Sequence, residues 1–145
     1  MAQMDGDLID WTVYAETRSA LGADFVRILG YFREDGTQSV AKIEEAIRES
    51  SAAEIIIAAH TLKGESAQFG AIQLSTIAEK IEMTARKCVE HQEAPDEIIE
   101  IAAGLTPLFE QSLSLLDRES SPVVPRQPQG FGRRSTGFPV QAVNR

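Results

Sequence analysis

The stretch SAAEIIIAAHTLKGESAQFG, residues 51–70, continued by AIQLSTIAEKIEMTARKCVEH, residues 71–91, decides the fold. In the first half Ile55, Ala59, Leu62, Ser66 and Phe69 recur at spacings of four and three, the period of a helix that buries one face. The second half repeats that rhythm with Leu74, Ile77, Ile81, Ala85 and Cys88, ending near His91 and Gln92. Gly70 lies between the two stripes and offers the break, because glycine readily takes the left-handed conformation that ends helices. Ser50 and Ser51 each supply a hydroxyl able to cap the first helix. The reading predicts two helices joined by a tight turn.

Working outward, the segment from Ala23 to about Glu49 puts Phe25, Leu29, Phe32, Gly36, Val40, Ile43 and Ile47 on one face. Gly36 interrupts that stripe and is expected to loosen or bend the helix. A shorter helix, from about Asp10 to Leu21, carries Trp11, Tyr14 and Leu21. Downstream, Pro95 opens a further helix with Ile98, Ala102, Leu105, Phe109, Ser112 and Leu116, in which Pro107 predicts a kink. Strand-like alternation is absent. The expected fold is all-α: an antiparallel four-helix bundle over residues 1–117, with a short extra N-terminal helix covering one end. Residues 118–145, with Pro122, Pro125, Pro128 and Pro139 among Gly, Ser, Gln and Arg, read as a flexible, disordered tail. The pair Arg133-Arg134 could tether the protein to an acidic surface, although a solvated tail is the preferred reading.

Composition narrows the function. The 145 residues are 43% hydrophobic and 25% charged, which suits one soluble domain and disfavours a multi-domain enzyme. The acidic N-terminus MAQMDGDLIDW is unlike a secretory signal, and no apolar run approaches the roughly 20 residues that span a bilayer, so a cytoplasmic chain without membrane insertion is expected. One cysteine, Cys88, and two histidines leave no framework for a disulfide or a structural metal, and no cofactor is expected. Residues 1–117 hold 9 Lys+Arg against 21 Asp+Glu, a net of −12, whereas residues 118–145 hold 5 Arg against 1 Glu, a net of +4. An acidic body argues against nucleic acid as a partner, since that binding rests on basic side chains neutralising phosphates.

The candidate site lies on the other side of the first helix. At about 100° per residue, with Ile55 at zero, His60 falls near 140°, away from the buried stripe, with Gly64, Ala67 and Lys63 around it. Exposed helix faces usually carry charged side chains, yet this one presents Ala53, Ile56, Ile57, Gly64 and Ala67. Either the helix is buried on both sides or the face docks another protein. Gly64, one turn after His60, leaves the imidazole open to approach, although a mid-helix glycine costs about 1 kcal/mol relative to alanine. Lys63 stands within reach of an anionic group arriving on the ring. The combination points to an exposed histidine that accepts a phosphoryl group from a protein partner.

The run AHTLKGESAQFGA, residues 59–71, resembles the signature of histidine phosphotransfer domains, which pass phosphoryl groups in two-component phosphorelays, and the resemblance extends over about residues 8–117. It implies that His60 is the phosphoacceptor, that Lys63 lies beside the phosphate, that Gly64 clears space for an incoming receiver domain and that Gly70 ends the helix. Ser66 and Gln68 fall in the same motif as supporting residues. In the family a polar residue of the following helix often orients the imidazole; Glu82 stands in that register, where glutamine is common, with Arg86 one turn on. Glu82 then either holds the Nδ1 proton or forms a plain i,i+4 surface ion pair with Arg86, and the plain pair is preferred. His91 reads as a surface residue and Cys88 as core.

The resemblance further implies a phosphocarrier, not an enzyme. There is no G-x-x-x-x-G-K-[ST] loop and no carboxylate cluster for Mg²⁺ in the chain, so the metal and the catalysis belong to the partners. These are response-regulator receiver domains and a hybrid histidine kinase, met by a monomer through Ile56, Ile57, Gly64 and Ala67. The rival is a four-helix adaptor that binds through the same face and is never phosphorylated. A kinase's own phosphoacceptor module is disfavoured, because no ATP-binding segment is expected after residue 117. A metal-binding bundle is disfavoured for want of inward-facing ligands.

Overall fold

In the computed structural model of the chain the described residues are 8–120, and every regular element among them is helical. These elements are α1 (Trp11–Leu21), a 3₁₀ turn (Gly22–Asp24), α2 (Phe25–Arg48), α3 (Ala52–Gln68), α4 (Ile72–His91), α5 (Asp96–Ala102) and α6 (Leu105–Ser120). The bundle is formed by α2, α3, α4 and a fourth member made of α5 and α6. The expected stripe of α3 is the buried one, with Ile55, Ala59, Leu62, Ser66 and Phe69 all withdrawn from solvent. On α4, Leu74, Ile81, Ala85 and Cys88 are buried, while Ile77 is half-buried and Ala78 takes the interior position beside it.

Helix ends follow local chemistry. Ser51 caps α3, its Oγ accepting from the Glu54 N–H at 3.4 Å, and Ser50 occupies the left-handed turn residue at φ +55°. Asp10 caps α1, its Oδ1 accepting from the N–H groups of Thr12 and Val13 at 3.0 and 3.3 Å. Gln92 closes α4 in a left-handed conformation, at φ +56°. Gly70, at φ +80°, ends α3 and also receives α1: its carbonyl accepts from Asp10 N–H at 2.7 Å, and a Cβ there would lie 2.5 Å from the Asp10 carbonyl. Thr17 adds a second tie, donating to the Gln68 carbonyl at 2.6 Å. The extra helix thus seats on the α3–α4 turn and covers that end of the bundle.

An aromatic chain runs through the interior. Tyr14 meets Phe25 edge-on at 5.2 Å, Phe25 meets Phe69 at 5.8 Å, Phe69 stacks on Phe32 at 5.4 Å, and Phe32 meets Phe109 at 6.1 Å. These rings join α1, α2, α6 and the residue that closes α3 in one core, each pair adding to what area burial supplies. Gly36 does not loosen α2, which is continuous across it. It is there for the Phe109 ring, since a Cβ at position 36 would sit 2.6 Å from Cε1.

Two expectations are corrected at the C-terminal end. The helix that begins after Pro95 does not kink at Pro107: it stops at Ala102 and restarts at Leu105. The proline ring crowds the carbonyl four residues back, at Ala103, whereas in the first turn of a new helix its missing N–H has no partner to lose. The helical body also runs past Asp117 to Ser120, which is buried with its Oγ donating to the Asp117 carbonyl at 3.0 Å. Arg18 of α1 donates to the Glu119 carbonyl at 2.8 Å. The tail expected from there on, residues 121–145, lies outside the described residues.

Gly36→Ala is expected to lower stability by about 1–2 kcal/mol despite alanine's better helix propensity, because the methyl overlaps a packed ring. Urea unfolding measures this, and an unchanged or raised midpoint would mean that the Phe109 ring swings clear.

Candidate functional site

The α3–α4 pair builds the site. Its antiparallel register is visible in two cross-helix contacts: His60 meets Glu82, and Ser75 Oγ donates to the Lys63 carbonyl at 3.1 Å, so rising numbers on one helix meet falling numbers on the other. The interior stripes of both helices orient the rest. With Leu62 and Ala59 inward, His60 is turned out and its side chain is 63% exposed.

Glu82 is the organising group, only 3% exposed. Its Oε2 lies 3.1 Å from His60 Nδ1 and accepts from Arg86 Nε at 3.0 Å and Nη2 at 2.6 Å. Lys63 Nζ approaches Oε1 at 3.0 Å as an ion pair. Burial alone would push this carboxyl upward, but hydrogen bonds from Arg86, Lys63 and His60 outweigh it and hold the group well below the ordinary range, at about 2. The carboxylate is therefore ionised at any physiological pH and can only accept. Neutral His60 must then carry its proton on Nδ1, which leaves Nε2, on the far edge of the exposed ring, with a free lone pair.

The reading of Glu82–Arg86 as a plain surface pair is thereby corrected: Arg86 is half-exposed, but the carboxylate it holds is buried and shared with His60 and Lys63. Periodicity could not show this, because the burial of Glu82 comes from α3 lying against it. Gly64 has open space where a Cβ would stand. Ile57 is 62% exposed, Ala67 is exposed and Ile56 is half-buried against the core, so the first two and Gly64 form the outer face near the histidine. Ser66 and Gln68 do not join the site. Ser66 is fully buried on the core stripe, while Gln68 stands at the helix end with its carbonyl engaged by Thr17. His91 is exposed at the end of α4, and Cys88 is buried with its thiol donating to the Ala94 carbonyl at 3.6 Å.

Three features escaped sequence reasoning. Ser75 ties α4 to the backbone of Lys63, and Met83, next to Glu82, adds an exposed apolar side chain on α4. The spacing that drew attention to α3's outer face could have been applied to α4, but a single methionine there carries little signal. The third is Glu65, on the flank of α3 facing α2, where burial and then the neighbouring charge of Asp35 push its carboxyl up to about 7. Among the described residues no cluster of three or more His, Cys, Asp or Glu could hold a metal ion, and no helix is long and apolar enough to cross a membrane.

A family profile described as Hpt domain matches residues 27–119. Among solved structures, the chain is similar to the crystal structure of histidine-containing phosphotransfer protein B from Pseudomonas aeruginosa PAO1, with 23% identity and a TM-score of 0.67 over 77% of this chain and 93% of that one. At that identity the likeness concerns the fold. No curated protein matches the chain.

The two perturbed carboxyls have opposite effects on stability. Glu82 is lowered, so its contribution is complete above its unfolded value of 4.5 and is lost as pH falls toward 2. Glu65 is raised, so its cost is absent below 4.5 and grows as pH rises through about 7. Urea unfolding of Glu65→Gln is expected to match wild type at pH 4.5 and to exceed it at pH 8; a variant no more stable than wild type at pH 8 would contradict this.

Proposed function

The chain belongs to the Hpt domain family, and from that membership and the geometry at His60 we propose that it is a phosphorelay carrier whose His60 Nε2 takes a phosphoryl group from a receiver-domain aspartate and passes it to another. A histidine phosphotransfer role in two-component signalling follows from the family. The single observation that carries the assignment to His60 is the exposed ring whose Nδ1 is held by a buried, ionised Glu82.

The step balances without a proton transfer. The Nε2 lone pair attacks phosphorus, the P–O bond to the aspartate breaks, and the aspartate leaves as a carboxylate with the bonding pair. Nδ1 keeps its proton throughout. Lys63 and Arg86 give the site two cations beside one buried carboxylate, which favours the incoming phosphoryl oxygens. The partner receiver supplies the Mg²⁺ and the activated phosphoryl group. Docking uses Ile57, Gly64 and Ala67, with Ile56 backing them, as one helix face meeting an apolar patch. By this reading the protein is a phosphocarrier, and catalysis lies with the receivers and with the hybrid kinase upstream.

Incubation with a phosphorylated receiver domain separates this function from a purely adaptor role. Wild type is expected to take up an acid-labile label and His60→Ala none; equal labelling of the two, or no labelling of wild type, overturns the assignment. Gly64→Ala is expected to fold at least as stably, gaining up to about 1 kcal/mol from helix propensity. It is also expected to slow transfer from the receiver at least tenfold, by putting a methyl where the partner must approach. Unchanged kinetics would show that Gly64 has no part in docking.

A further inference from the structure

The carboxylate at position 82 has a consequence for the phosphorylated state as well as for the free ring. We propose that Glu82 sets the lifetime of the phosphoryl group on His60, by keeping Nδ1 of the phosphorylated ring protonated so that the P–N bond stays ready to break. This rests on His60 being the acceptor, as proposed above.

The chemistry is that of a leaving group. When the P–Nε2 bond breaks, its electron pair stays on Nε2. If Nδ1 carries a proton, the departing ring is a neutral imidazole; if not, it is an imidazolate anion, which leaves far less readily. The phosphoryl group goes to a receiver aspartate or to water, and nothing is oxidised or reduced. A ring beside a neutral amide gives up its Nδ1 proton to bulk water as pH rises. Here the ring nitrogen lies 3.1 Å from a carboxylate that is 3% exposed, so the protonated ring gains a charge partner with little solvent between them.

The neighbouring charges let Glu82 do this without driving off the phosphate. Lys63 and Arg86 both contact the same carboxylate, and their charges offset its repulsion of the phosphoryl oxygens. On the flank toward α2, Asp35 and Lys42 line a groove with Ile57 and Thr61, and neither forms an ion pair with His60 or Glu82. Glu79, one turn before Glu82 on α4, is exposed and likewise unpaired with the ring. Glu82 is thus the anion that faces Nδ1 directly.

The test loads the full chain with phosphoramidate, which donates its phosphoryl group with loss of ammonia and needs no protein partner. After removal of the donor, the bound phosphoryl group is followed by ³¹P NMR from pH 5 to 9 in wild type and Glu82→Gln. The two decay rates are expected to converge at pH 5. At pH 8 the variant should hold its label roughly tenfold longer, the size expected for an opposite charge acting on such a proton equilibrium. Superimposable profiles overturn the proposal. Should Glu82→Gln fail to fold or load, loaded wild type in buffer and in urea gives the same comparison. Decay of the folded chain at pH 8 that is no faster than in urea overturns the proposal. Failure of wild type to load on His60 instead overturns the acceptor assignment itself.

Discussion

The arrangement depends on one buried carboxylate. Glu82 reaches the boundary between two helices, where it is nearly sealed from water and stays ionised only because Arg86, Lys63 and His60 converge on it. A buried charge without partners would be costly by several kcal/mol. With those partners it links an interior position of α4 to an exposed ring on α3. The same contact fixes which nitrogen of the neutral ring bears the proton and which keeps a free lone pair.

The bundle makes that contact possible. The aromatic chain from Tyr14 to Phe109 sets how the helices lie, and the room made at Gly36 lets α6 close against α2. At the turn, Gly70 ends α3 and seats α1 on the bundle end. Ser75 then pins the start of α4 to the backbone of Lys63. Gly64 differs from both other glycines, since no atom of the protein occupies the space beside it. In the proposed function that open space admits the receiver domain to the Nε2 edge of the ring.

Much of this was legible in the chain. The α3 stripe, its break at Gly70, the outward turn of His60 and the small, apolar face around it all follow from helical period, because period is what burial imposes on a sequence. What escaped depends on contacts between elements distant in the chain. By sequence Gly36 reads as a weak point, because the Phe109 ring that fills its space belongs to another helix. Pro107 predicts a kink from sequence alone, because nothing local shows that the helix restarts before it. Glu82 and Arg86 have the spacing of an ordinary ion pair, and only the packing of α3 turns the carboxylate into a buried partner of His60. Ser66 is the reverse case, since it lies in the motif by sequence while its side chain is buried on the core stripe, away from His60.

Glu82 holds Nδ1 of His60 and, in the proposed function, leaves Nε2 to carry the phosphoryl group. Nitrogen-15 NMR of histidine-labelled protein before and after transfer from a receiver domain tests it most directly. The ring is predicted to be protonated on Nδ1 beforehand and to show phosphorus coupling at Nε2 afterwards. A resting ring protonated on Nε2, or coupling at Nδ1, would contradict it.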